Sequence, residues 1–240
     1  MVNPEHVLTA AAQAGPFYVL WSEQPTQSEA MPWREFAGLV RGDLLAARVG
    51  AVAAVLGERA RVPAGDIDSR AAASLVHLGL TARLVSPPLA AAVLGGALLQ
   101  VETSGLYWQD VLGPVPLTHP DLQAVGVDPA DYARIAEFLA GALAGGPVAD
   151  LTEAVARLGV SRRVLWGNVA SSFAAAAAGL VRAVPERGDV VSEVVREVFA
   201  RAPLQGRGGF LAGRGFKRAS CCLYYRVPGG GYCGDCVLAN

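Results

Sequence analysis

The first 220 residues contain no cysteine, and histidine occurs only at His6, His77 and His119. The three histidines are too dispersed to suggest a metal site by spacing, and His77, set among apolar residues, reads as a structural histidine. Charge is scarce too. Charged residues make up 17% and hydrophobic residues 52%, a composition that excludes a disordered chain and fits a globular one. The glycines at 206–215 lack the lysine-serine ending of a P-loop and follow no clear strand, and no flavin or nucleotide fingerprint is present. Long apolar runs free of breakers are also missing. The two longest uncharged stretches, Leu84–Val101 and Val164–Val181, are interrupted by Ser86-Pro87-Pro88 and by Gly167-Asn168 and Ser171-Ser172. A membrane span needs ~20 predominantly apolar residues, so both read as buried core helices and no span is expected. Glu5 and His6 come early and no basic region precedes an apolar run, so no signal peptide is expected. The expected location is cytoplasmic, and the apolar surface is compatible with a peripheral position at the inner membrane face.

What is present is mainly helical periodicity. Helices are predicted over about 5–14, 33–57, from a cap at Asp66 or Ser69 to Val85, and over 89–100. Ser86-Pro87-Pro88 is expected to end the third of these. Leu106-Tyr107-Trp108 and Val115–Thr118, separated by Gly113-Pro114, read as a strand pair. Asp128 caps a helix with Pro129 at its first position, running to Ala144 and stopped by Gly145-Gly146-Pro147. Further helices are predicted over 149–158, 162–184 with Ser161 as cap, and 189–200. From Pro203 the pattern fails, and the glycines from 206 to 215 read as an irregular linker. The predicted fold is therefore mostly α with a small β element (α+β). A helical body, 1–205, is followed by a short irregular cysteine-bearing tail, 206–240.

Charge is unevenly placed. Residues 201–240 carry Arg201, Arg207, Arg214, Lys217, Arg218 and Arg226 against Asp235 alone, a net +5, while the rest of the chain carries net −6. A basic end beside the cysteines suits an acidic partner or an anionic ligand. Residues 151–166 resemble a helix-turn-helix, with Gly159 in the turn and Arg162 and Arg163 on the second helix. The surrounding chain is acidic and offers no basic arm, so nucleic-acid binding is not expected.

All four cysteines, Cys221, Cys222, Cys233 and Cys236, fall within 16 residues in the pattern C-C-x10-C-x2-C. In a reducing compartment such a cluster argues for metal or redox chemistry over structural disulfides. Cys233-Gly234-Asp235-Cys236 is a C-x-x-C turn that can bring two thiolates to one metal, and its Gly234 amide and neighbours are candidate donors to the sulfurs. Pro228-Gly229-Gly230-Gly231 can reverse the chain and return the first thiol pair to the second. Neighbouring side chains of a strand point to opposite faces, so the backbone at Cys221–Cys222 must bend away from β geometry if both are to reach one centre. Spacing alone does not separate a structural zinc from an Fe–S cluster.

The run Ser220-Cys221-Cys222-Leu223-Tyr224-Tyr225-Arg226, followed by Pro228-Gly229-Gly230-Gly231-Tyr232-Cys233-Gly234-Asp235-Cys236, resembles the C-terminal signature of FhuF-type ferric-siderophore reductases. A weaker similarity covers His77-Leu78-Gly79-Leu80 and Leu165-Trp166-Gly167-Asn168-Val169. The resemblance implies a [2Fe–2S] cluster on Cys221, Cys222, Cys233 and Cys236. It implies one-electron reduction of siderophore-bound Fe3+, with hydroxamate chelates among the candidates, by electrons from a ferredoxin, a flavodoxin or a reductase. Arg214, Lys217, Arg218 and Arg226 are candidates for docking an anionic chelate or an acidic donor, and Trp166 and Asn168 for lining a siderophore pocket.

Overall fold

Two long helices organise the chain. In the computed structural model, which describes residues 2–24, 31–211 and 215–239, helix α4 (Ser69–Gly95) lies against helix α7 (Arg162–Ala183). Both are long and apolar enough to cross a membrane, yet 67% and 61% of their apolar windows are buried inside the protein. They are core helices, covered by α1 (Pro4–Ala12), α3 (Leu44–Ala60), α5 (Tyr132–Gly145), α6 (Pro147–Ala156) and α8 (Gly188–Phe199). A short α2 (Phe36–Arg41) precedes α3.

The β-structure is small and antiparallel. Strand β3 (Tyr107–Gln109) pairs with β4 (Leu117–Thr118), Tyr107 opposite Thr118 and Trp108 opposite Leu117, as the sequence predicts. Strand β1 (Trp33–Glu35) adds to its other edge. Strands β2 (Ala97–Gln100) and β5 (Gln123–Gly126) form a second pair, and β6 (Gly208–Leu211) and β7 (Gly215–Arg218) a hairpin.

Several expectations are corrected. Ser86-Pro87-Pro88 does not end α4, which continues to Gly95. A proline inside a helix costs about 3 kcal/mol, but Leu84, Val85, Leu89 and Val93 are all buried, and each such side chain returns about 1.5–3 kcal/mol. The predicted helix over 89–100 is therefore the end of α4 followed by β2. The cap of α4 is neither Asp66 nor Ser69 but Asp68, whose Oδ1 accepts from the Arg70 and Ala71 amides at 2.9 and 3.1 Å. The helix predicted over 33–57 is split by Gly42, which is extended. Asp128 makes a local turn, and the cap of α5 is Asp131. Helix α7 is not an exposed recognition helix. It is the centre of the core, and Arg162 is held by Glu153 at 2.5 Å.

Two buried polar residues tie the body together. Arg83 is 2% exposed and donates to the carbonyls of Val115, Pro16, Phe17 and Val19, which fixes the segment after α1 against α4. Burial lowers its pKa to about 10, so it stays charged at neutral pH. His77 is fully buried. Its Nε2 meets Thr152 Oγ1 at 3.0 Å, and since that hydroxyl donates to the Val148 carbonyl, His77 is the donor. Desolvation holds its pKa down to about 3, so it is neutral, in the structural role that the sequence suggests.

Candidate metal centre

Strand β7 ends at Arg218, and no strand runs through Cys221 and Cys222. Leu223 is left-handed at φ +69°, and Tyr224–Arg226 is a 3-10 turn. That geometry lets the Leu223 amide donate back to Cys221 Sγ at 3.3 Å. The chain then reverses over Pro228–Gly231, with Gly229 and Gly231 at positive φ and the Gly230 amide on the Val227 carbonyl at 2.8 Å. A Cβ at Gly230 would meet the Tyr224 carbonyl at 2.5 Å, so the close approach of the two limbs requires glycine there.

The reversal brings one cysteine of each pair together. Cys222 Sγ lies 3.5 Å from Cys233 Sγ, near the about 3.8 Å that separates two thiolates on one tetrahedral metal. Cys236 Sγ accepts the Leu238 amide at 3.3 Å, the counterpart of the Leu223 bond to Cys221. Among the described residues the amides that donate to sulfur are those of Leu223 and Leu238, where the sequence suggested Gly234 and its neighbours. Cys222 and Cys236 are buried, and Cys221 and Cys233 are half-buried. Burial raises the thiol pKa of Cys221 and of Cys233, the latter further raised by Cys222 beside it. Metal binding would have to displace those protons.

Among the described residues no three His, Cys, Asp or Glu side chains gather as one metal ion requires. A tetrahedral zinc needs four sulfurs about one point. The observed arrangement is a close pair, Cys222 and Cys233, with Cys221 and Cys236 each holding an amide hydrogen bond. Two thiols within reach of one metal and two sulfurs that accept amide hydrogen bonds suit thiolate ligation tuned by N–H···S bonds, and this geometry alone does not separate zinc from an Fe–S cluster.

A buried polar network seats this segment on the core. Arg218, 2% exposed, donates through Nη2 to the Gly167 carbonyl and to Asn168 Oδ1, both at 3.0 Å, and its Nε lies 3.4 Å from Asp235 Oδ2. The Nε contact is electrostatic only, since that nitrogen has no aligned acceptor. Asp235 also accepts from Ser171 Oγ at 2.5 Å. Asn168, fully buried, gives its amide hydrogens to the Ser74 carbonyl and hydroxyl, and Ser74 Oγ donates to the Cys222 carbonyl at 2.8 Å. Gly167 permits the approach, because a Cβ there would lie 2.1 Å from Ser220 Oγ.

The structure reassigns the candidate docking residues. Arg218 and Asn168 are buried in this network and present nothing to a partner. Arg226 pairs with Asp68 at 2.9 Å, and Lys217 Nζ donates to the Ala239 carbonyl at 2.9 Å. Trp166 is partly buried and packs on the core. Arg214 lies outside the described residues. Sequence reasoning missed Ser74, Ser171 and Asp235. Their signal was polarity in unlikely places: serines inside Ala-rich helices and one acid in a basic tail.

Residues 218–238 match the FhuF 2Fe-2S C-terminal domain. No curated protein matches the chain. The family match points to a [2Fe–2S] cluster as the cofactor and to iron-related redox chemistry, in agreement with the resemblance seen in the sequence.

Proposed function

We propose that the protein reduces siderophore-bound Fe3+ by one electron, in the cytoplasm, with Cys221, Cys222, Cys233 and Cys236 holding the cluster. The reading is supported by one observation: the segment that matches the 2Fe-2S domain carries all four cysteines, and the fold brings one thiol of each pair, Cys222 and Cys233, to 3.5 Å over a buried polar base. The cluster, when bound, supplies one electron per cycle. The chain's own groups prepare for that extra negative charge. Arg218 keeps a fixed positive charge behind the cysteine turn, and the Leu223 and Leu238 amides point at sulfur. Asp235, held by Ser171 and Arg218, fixes the turn between Cys233 and Cys236. Hard oxygen donors bind Fe3+ far more tightly than the softer, less charged Fe2+, so one electron loosens the chelate. Half-buried Cys221 and Cys233 leave the centre near the surface, within reach of an external one-electron donor such as a ferredoxin, a flavodoxin or a reductase.

The test is a single-turnover reaction. The protein is reduced anaerobically, freed of reductant and mixed with a ferric siderophore. Recovery of the oxidised spectrum with one Fe2+ trapped per chain is expected. A reduced spectrum that persists against both hydroxamate and catecholate chelates would overturn the reading.

A further inference from the structure

A groove of about 1210 Å³ opens between α7, α8 and the β6–β7 hairpin, and one end of it is formed by Gly234 and Asp235 of the C-x-x-C turn. We propose that this groove seats the ferric chelate, with Phe199, Phe210 and Phe216 against the chelate's arms and the metal facing the cysteine turn. The proposal rests on the reductase reading above.

Size is the first argument. Pockets for small ligands run to about 300–1,000 Å³, and this groove exceeds that range, as a bulky chelate requires. Its floor is made of small side chains on α7, among them Ala174, Ala177 and the exposed Ala178. One wall is aromatic. Phe210 lies 5.4 Å from Phe199 and 5.3 Å from Phe216, ring centre to ring centre, and Phe199 lies 5.3 Å from Phe216. Phe210 is 52% exposed, a large apolar cost that bound ligand would relieve.

Charge gives the class of chelate. Two guanidiniums border the groove, Arg182 and Arg196. Arg196 is neutralised by Glu193 and Glu197, while Arg182 has no ion pair among the described residues. Among the described residues the groove is mostly apolar and bordered by one cation without an ion pair, with the Asp235 carboxylate at the cysteine turn, which suits a chelate of low net charge and apolar outer face over a polyanionic one.

Position is the third argument. Gly234, Asp235 and Phe216 also border an adjoining hollow of about 350 Å³ that reaches Cys236. A chelate in the groove is therefore separated from the cysteines by a single turn of backbone. The step moves one electron to Fe3+, giving Fe2+ in the weakened chelate, and the external one-electron donor restores the reduced state. No bond to the protein forms or breaks.

The test uses the cluster-loaded, oxidised protein and the redox-inert Ga3+ complex of a linear trihydroxamate, titrated by calorimetry. Ala178→Trp fills the groove from an exposed position, and Phe210→Ala removes the half-exposed ring. Ala178→Trp is expected to weaken binding at least about tenfold, and Phe210→Ala several-fold, with the visible spectrum and midpoint potential of the parent retained. If the parent binds the complex and reduces its ferric counterpart while both variants bind as tightly, the groove proposal falls and the reductase reading stands. If the parent reduces no ferric chelate, the reductase reading itself falls.

Discussion

Replacing Arg218 with methionine should damage both the stability of the fold and the potential of the centre. The side chain is 1% exposed, and its loss leaves the Gly167 carbonyl, Asn168 Oδ1 and the Asp235 carboxylate without their cation. Removing one partner of a buried ion pair costs about 3–5 kcal/mol. Asp235 is 22% exposed and keeps Ser171, so the lower end, about 3 kcal/mol, applies. For a chain of this size that lowers Tm by about 6–12 °C. Loss of the positive charge also disfavours the reduced, more negative centre, so the midpoint potential falls. Arg218→Lys keeps the charge as a point but cannot serve acceptors on two sides. It should therefore restore more of the potential than of the stability. Thermal unfolding and a redox titration followed by EPR read the two effects separately. A Tm within about 1 °C of the parent, together with an unchanged potential, would refute the reasoning.

Other consequences follow from the same geometry. Cys222→Ser or Cys233→Ser should abolish the visible absorbance of the centre while far-UV circular dichroism stays that of the parent, because the helices do not depend on those sulfurs. Arg83→Met should cost at least about 3 kcal/mol of stability, read as a lower denaturant midpoint, since four carbonyls lose a charged donor at about 1–3 kcal/mol each. His77 has a pKa lowered from 6.5 to about 3 in the fold, so the unfolded chain binds the extra proton between those values. Its contribution to stability is full above pH 6.5 and is lost as pH falls toward 3, at up to about 1.4 kcal/mol per unit. The pH dependence of urea unfolding checks this, and His77→Gln should flatten it over that window.

Much of the helical body was legible because its signals are local. Ser161 capping α7 and the Gly145-Gly146-Pro147 break between α5 and α6 act within one turn of backbone, and so does the alternation that pairs Trp108 with Leu117. Pro87-Pro88 misled because its local penalty is outweighed by burial on both sides, a tertiary effect no short window contains. The glycines from 206 read as a linker, yet Gly208 is needed within a hairpin, where a Cβ would strike the Phe216 ring at 2.3 Å. At the site, the cysteines announced themselves by spacing. Their support did not, because Arg218 and Asn168 meet across 50 residues and Ser74 joins them across 94. Their polarity suggested a surface; only packing reveals them as the buried base of the cysteine turn.

Iron and acid-labile sulfide analysis of anaerobically purified protein, with EPR of the reduced state, tests the central claim most directly. Two irons and two sulfides per chain are predicted, with a visible spectrum that bleaches on reduction and a signal from one unpaired electron per centre. A colourless protein carrying one zinc per chain would contradict it.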